Sequence, residues 1–170
     1  MKILQTDRLL LREFEESDAP FILDLLNSEG WLRYIGDRGV RDLAGAEGYL
    51  RKGPITSYRE NGFGLWMVEL LEGGIPVGMC GFINRDTLED IDIGYALHPD
   101  HYGKGYALEA AQACMRYARH CLVLPRVVAV TDPENESSIA LLKKLGFRFA
   151  KQIDFANSGE PSNLYQIDFE

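Results

Sequence analysis

The sequence predicts an α/β protein, one domain over residues 1–170, with a mixed central sheet of about six to seven strands, antiparallel in its first half and flanked by about four helices. Three observations carry that prediction. A length of 170 residues with 46% apolar positions suits one sizeable core. Two apolar, aromatic-rich runs, Phe63 to Leu71 and Pro76 to Ile83, flank Glu72-Gly73-Gly74, which supplies the turn of a β-hairpin. From Ile91 onward, strand-like and helix-like periods alternate, with no repeat or low-complexity tract to interrupt them.

The elements follow in chain order. Leu9-Leu10-Leu11-Arg12-Glu13-Phe14 reads as a strand. Ser17 and Asp18 read as caps of a helix carrying Phe21, Ile22, Leu25 and Leu26 at helical spacing, with Pro20 confined to its first turn. A stretch from about Asp42 to Asn61 is helical but weakened by Gly45, Gly48, Gly53 and Pro54, and is open to breaking in two. The hairpin comes next, then a strand over Ile91 to Leu97. A helix from about Lys104 to Cys121 carries one apolar stripe of Leu108, Ala111, Met115, Ala118 and Leu122 beside a second of Ala107, Ala110 and Cys114, as a helix packed on a sheet must. After a strand over Arg126 to Val130, Thr131-Asp132-Pro133-Glu134-Asn135 opens a further helix with Ile139, Leu141, Leu142 and Leu145 turned inward and Gly146 as its stop. Strands over Phe147 to Ile153 and Leu164 to Phe169 end the chain, and the last one either closes a sheet edge or pairs across a homodimer.

Charge and composition narrow the function. Lys and Arg total 18 against 26 Asp and Glu, a net charge of -8, which argues against nucleic-acid backbones and anionic membranes as partners. No stretch approaches the roughly 18 apolar residues of a membrane span, and Met1 to Arg8 lacks the apolar core of a signal peptide, so a cytoplasmic protein is expected. Cys80, Cys114 and Cys121 are odd in number and form no C-x-x-C pair, which reads as reduced, structural thiols. His98, His101 and His120 have no metal-ligand company, and no metal is expected.

The strongest local signal is His101-Tyr102-Gly103-Lys104-Gly105-Tyr106-Ala107, between a strand and an amphipathic helix. Small residues let the backbone approach a ligand, and the free N–H groups of a first helical turn attract an anion such as a pyrophosphate. Taken alone, the same residues read equally well as a glycine-rich turn that merely starts a helix. Two familiar phosphate motifs fail: Gly105 stands where a P-loop needs Ser or Thr, and Leu108 where a dinucleotide fingerprint needs Gly or Ala.

An ordered set of segments is more specific. Ile93-Gly94-Tyr95-Ala96-Leu97-His98-Pro99, then Tyr102 to Ala107 with Glu109-Ala110, then Asp132-Pro133-Glu134-Asn135 through Ser138 to Lys144-Leu145-Gly146-Phe147, resembles the GNAT superfamily of acyl-CoA-dependent N-acyltransferases. Thr6-Asp7-Arg8-Leu9-Leu10-Leu11-Arg12, Arg33-Tyr34-Ile35-Gly36 and Gly78 to Phe82 resemble its RimJ and RimL branch of ribosomal-protein N-terminal acetyltransferases. The resemblance implies a single-domain GNAT fold with parallel strands splayed at the cofactor site. It implies acetyl-CoA as cosubstrate, its pyrophosphate on the backbone of Gly103, Lys104, Gly105, Tyr106 and Ala107, and its pantetheine arm beside Tyr95 to Leu97. The backbone N–H of Leu97 would polarise the thioester carbonyl, and Asn135 would bond the pantetheine arm.

The reaction needs a group that takes a proton from the attacking amine, because an α-amine with a reference pKa near ~8 is mostly protonated at pH 7. Asp92 is the first candidate, at a place where the family often has a carboxylate; it also reads as the polar half of an alternating strand. Glu89 and Asp90 in the preceding turn are alternatives, with Glu69 farther off. The leaving sulfur needs a donor, and the chain departs from a common family pattern by placing Leu142 where many relatives have Tyr. Ser138 is the residue that this branch offers instead. Asn135 and Ser138 also read as an ordinary N-cap and first-turn serine. Asp100 is a second departure, an acid just ahead of the glycine turn that Lys104 offsets.

Trp31, Tyr34 and Tyr95 are candidates to line the acceptor pocket, although aromatics at such places are often core. The expected function is direct transfer of acetyl to an amine, a protein N-terminus first and a small-molecule amine second, by a monomer or homodimer. The rival is a non-catalytic acyl-CoA-binding sensor or partner-binding module, which Leu142 favours. The acidic balance suits a cationic acceptor.

Overall fold

The computed structural model, which describes residues 1–170, gathers eight short strands into one sheet, the central ones buried on consecutive residues because both faces are covered. These are β1 (Lys2–Gln5), β2 (Leu9–Arg12), β3 (Leu65–Leu70), β4 (Pro76–Ile83), β5 (Asp92–Leu97), β6 (Arg126–Thr131), β7 (Arg148–Ile153) and β8 (Ser162–Asp168). The helices are α1 (Ala19–Leu26), α2 (Glu29–Tyr34), α3 (Leu43–Leu50), α4 (Thr56–Asn61), α5 (Tyr106–His120) and α6 (Glu136–Lys144). The strands lie in the order β1-β2-β3-β4-β5-β6-β8-β7, and every neighbouring pair is antiparallel except β5 with β6.

Alternation along the strands gives each face of the sheet its own core. On β3, Trp66 and Val68 face one side and Met67 the other. A register shift beside Val77 on β4 then allows Val77 and Cys80 to share the Trp66 side. That side is covered by α5, which contributes Ala110, Ala111, Cys114, Met115 and Ala118. Small side chains there let the helix sit close on the sheet, and Trp66 fills the gap edge-on to Phe82 and Tyr117. The other face holds Met67 and Met79 under Ile22, Leu25 and Leu26 of α1 and Ala46 and Leu50 of α3.

Several elements differ from the sequence reading. β1 adds an eighth strand: four residues are too few to show a period, and pairing with β2 forms it. α2 is likewise too short to read as a helix beforehand. The stretch from 42 to 61 does not break: α3, capped by Asp42 accepting the Gly45 N–H at 2.7 Å, runs through a π-helical turn at Arg51–Ile55 into α4. Pro54 has no N–H to give, and the widened turn absorbs that loss without ending the helix. Asp18 does not cap α1; its carboxylate takes the Arg12 guanidinium at 2.8 and 2.9 Å and the Glu15 N–H at 2.8 Å. The final strand is interior, because β8 slips between β6 and β7 and leaves β7 as the exposed edge.

No helix is long and apolar enough to cross a membrane. Cys80 and Cys114 are buried thiols with sulfurs 3.6 Å apart, and Cys121 is exposed.

Candidate active site

The one parallel pair is where the sheet opens. β5 and β6 are in register only at Asp92 opposite Val128, where the Val128 N–H donates to the Ile91 carbonyl at 3.0 Å. Farther along, no residue of β5 faces a partner on β6. The His98 N–H donates to Val77 on β4 at 2.8 Å, so the alternation of an antiparallel ladder turns the N–H and C=O groups of Tyr95 and Leu97 to the opposite side, the side that β6 has left. These backbone groups are free for another extended chain.

A cleft of about 800 Å³ lies over the split, and Asp92, Tyr95, Asn135, Ser138, Trp31 and Tyr34 all line it. Six of the residues singled out from sequence therefore meet in one place. Asp92 is 3% exposed at the point where the strands part. Burial pushes its carboxyl above the ordinary range, and the Arg85 guanidinium, donating from Nε at 3.0 Å, pulls in the opposite direction. Glu89, Asp90 and Glu69 are not in the cleft: Asp90 faces Arg126 at 3.8 Å and Glu69 accepts from Arg12 at 3.2 Å.

Across the split, the Tyr95 hydroxyl on β5 lies 2.7 Å from the Ser138 hydroxyl on α6. Burial pushes the phenol up to about 12, so it keeps its proton at neutral pH, with the Ser138 hydrogen bond acting the other way. Asn135 caps α6, its side-chain oxygen accepting the Ser138 N–H at 3.2 Å, which fixes Ser138 in the first turn beside Tyr95. Leu142 is fully buried in the core and reaches no ligand space.

The glycine turn follows β5 through a 3₁₀ turn at Pro99–His101 and lies outside the enclosed cleft, as does Leu97. Gly103 and Gly105 have φ of +76° and +81°, a region that favours glycine, and Gly105 is the N-cap of α5. The turn thus presents the N–H groups of Tyr106 and Ala107 at the positive end of a 15-residue helix. Asp100 extends into solvent, its side chain 80% exposed and 3.5 Å from His98 Nδ1.

Residues missed in the sequence complete the geometry. Arg8 braces the glycine turn: it donates to the Lys104 carbonyl at 2.9 Å and to Glu109 at 2.7 Å, and its guanidinium stacks on the Tyr106 ring at 4.7 Å. Burial lifts the Glu109 carboxyl, but hydrogen bonds from Thr6 and Arg8 outweigh it and the net shift is downward. Arg85 was readable from the hairpin, since pairing Ile83 with Asp92 sets the intervening loop beside Asp92. Tyr49, Arg38, Lys52 and Phe155, which also line the cleft, come from separate segments that no sequence spacing joins.

The chain is similar in sequence and in fold to known proteins. Residues 8–148 match the family described as acetyltransferase (GNAT) domain. The chain is 31% identical to the uncharacterized protein YkkB of Bacillus subtilis, over 88% of this chain and 87% of the relative. It is 28% identical to the [ribosomal protein uS5]-alanine N-acetyltransferase of Escherichia coli, over 85% of this chain and 77% of that enzyme. Among solved structures, an acetyltransferase from Agrobacterium tumefaciens superposes with a TM-score of 0.82 at 28% identity, covering 99% of this chain and 95% of the other.

Proposed function

The chain belongs to the GNAT acetyltransferase family, and from that premise we propose that it moves an acetyl group from acetyl-CoA directly to an amine in the cleft, with a protein N-terminal amine favoured as acceptor and the cytoplasm as its setting. The observation that carries this reading is the opening of β5 from β6 directly above Asp92, with the backbone of Tyr95 and Leu97 turned into the gap. The acceptor side is supported by the likeness to the uS5-alanine N-acetyltransferase.

When bound, acetyl-CoA supplies the activated acyl group. The chain's own residues do the remaining work. The N–H groups around Gly103, Lys104, Gly105, Tyr106 and Ala107 hold the pyrophosphate, with Arg8 bracing the turn from behind. Tyr95 and Leu97 pair with the pantetheine amides as strand to strand, and Asn135 stands at the far wall of the gap. In this reading the Leu97 N–H, on the edge of β5 that β6 leaves, meets the charge that develops on the thioester oxygen.

Proton transfers fall to side chains already paired. Asp92, buried and shifted upward yet next to Arg85, is a stronger base than a surface carboxylate and accepts the proton that the amine must lose. Tyr95 and Ser138 are joined by one hydrogen bond, and the hydroxyl proton not used in that bond is the one given to the departing sulfur, in place of the Tyr absent at Leu142. No covalent enzyme intermediate is needed, and residues 1–170 act as one domain.

Thermal unfolding with acetyl-CoA, CoA, ATP and NAD tests the cosubstrate. Acetyl-CoA and CoA at a hundred times Kd should raise the midpoint by about 5–10 °C. A rise with ATP or NAD and none with CoA would overturn the reading.

A further inference from the structure

An arginine side chain gives up more rotamer freedom than most when it is held in one place. Arg85 leaves the sheet just after β4, and the hydrogen bond from its Nε to Asp92, at 3.0 Å, is the only one its side chain makes. A second contact holds the guanidinium from its face. Arg85 Cζ lies 4.9 Å from the centroid of the Phe155 ring, inside the range over which an aromatic face attracts a cation.

Phe155 belongs to the other half of the sheet. Residues 154–161 join β7 to β8 in a loop that closes on itself, the Asp154 carboxylate accepting the Ser158 and Gly159 N–H groups at 3.0 Å each. The hairpin pairs Ile153 with Ser162, and Asn163 pairs with Thr131, at the end of β6 that β5 has left. From there Phe155 reaches back across the split to Arg85, and both line the cleft. No hydrogen bond joins this loop to Asp92.

Arg85 is the one charged group that acts on the Asp92 carboxylate. On the same loop as Arg85, Asp90 is turned to Arg126 at 3.8 Å. Tyr49 on α3 and Tyr95 farther along β5 keep their protons at neutral pH, because burial pushes both phenols up. Arg38, Lys52, Glu60, Asp132 and Glu160 also line the cleft and make no hydrogen bond or ion pair with Asp92. The buried carboxylate thus depends on one cation, and that cation on one ring.

Resting on the acetyl-transfer reading, we propose that Phe155 is a positioning residue for the reaction: its ring holds the Arg85 guanidinium on Asp92, and so fixes the carboxylate that takes the amine proton, without itself touching the reacting atoms.

The Asp92 carboxyl carbon, identified by its loss in Asp92→Asn, is followed by carbon-13 NMR between pH 4 and pH 9, with amine-dependent thiol release from acetyl-CoA measured over the same range. Phe155→Ala should move both midpoints up by about half a pH unit, because a loosened guanidinium favours the ionised carboxylate less. On the rising limb that is about a threefold loss of kcat/KM. Phe155→Tyr keeps the ring face and should stay at the parent values, whereas Phe155→Leu keeps only bulk and should follow Ala. In an Arg85→Ala background, Phe155→Ala should move the midpoint no further. Thermal unfolding shows that each variant folds. Movement to lower pH, the direction expected if the ring only shields Asp92 from water, would overturn the inference, as would a shift that persists without Arg85. An unmoved Asp92 midpoint beside normal transfer would overturn the inference and leave acetyl transfer standing. A midpoint that moves as expected in a protein that releases no thiol with any amine would uphold the chain from Phe155 to Asp92 and overturn acetyl transfer.

Discussion

The cleft and the glycine turn beside it are made of different material. The cofactor end is backbone: the unpaired edge of β5, the glycine turn with two positive φ angles, and the first turn of α5. The acceptor end is side chain: Trp31, Tyr34, Arg38, Tyr49, Lys52 and Phe155 from segments far apart in the chain. A backbone site needs only the right residues in a row, so its sequence is local and tolerant of what surrounds it. A side-chain site depends on how α2, the π-helical turn and the loop before β8 happen to meet, and each can change without disturbing the other end. Asp92, Tyr95 and Ser138 stand at the seam.

Substitutions at the seam should have the largest effect. Asp92→Asn removes the base while keeping a similar shape, and kcat/KM for the amine should fall about 100- to 10,000-fold with the acetyl-CoA midpoint rise intact. A loss of acetyl-CoA binding in that variant would mean that the two ends are not separable. Tyr95→Phe and Ser138→Ala should each lower kcat about 10- to 100-fold, and the double variant should lose far less than the product, because the two hydroxyls share one hydrogen bond. Losses that multiply would show two independent roles.

Damage confined to the backbone end should be smaller and one-sided. Gly105→Ala forces an L-residue to a φ of +81° and brings its Cβ to 3.4 Å from the Arg8 guanidinium, so the KM for acetyl-CoA should rise while the amine KM stays put. The expected change is about fivefold, or roughly 1 kcal/mol.

The smallest effect is a shift of pH dependence. Transfer should rise with pH as Asp92 deprotonates, along a limb above the usual carboxylate range because burial raises it. Arg85 favours the ionised form, so Arg85→Ala should move that limb to still higher pH, as a rate profile between pH 4 and pH 9 would show. Movement to lower pH would contradict the assignment of Asp92.

The same contrast explains what the sequence disclosed. The hairpin around Gly73 and Gly74, the strand ending at Leu97 and the helix after Gly105 are local patterns, and each was placed within a few residues. Asp92, Tyr95, Asn135 and Ser138 were found because motif residues on β5 and at the start of α6 carried them into one cleft. The bond between Tyr95 and Ser138 was not legible, since residues 43 apart meet only through the order of β5, β6 and α6 in space. Arg8 escaped for the same reason, bracing a turn 96 residues away. The rest of the cleft was least legible of all, because Trp31, Tyr34, Tyr49 and Phe155 come from segments that no sequence spacing joins.

Amine-dependent release of CoA thiol from acetyl-CoA, followed in the parent protein and in Asp92→Asn, tests the central claim most directly. The account predicts release that saturates in acetyl-CoA, requires an amine, and nearly vanishes in the variant although acetyl-CoA still stabilises it. Acetyl-CoA stabilising both proteins equally, with no amine releasing thiol from either, would contradict it and make the cleft a binding site without chemistry.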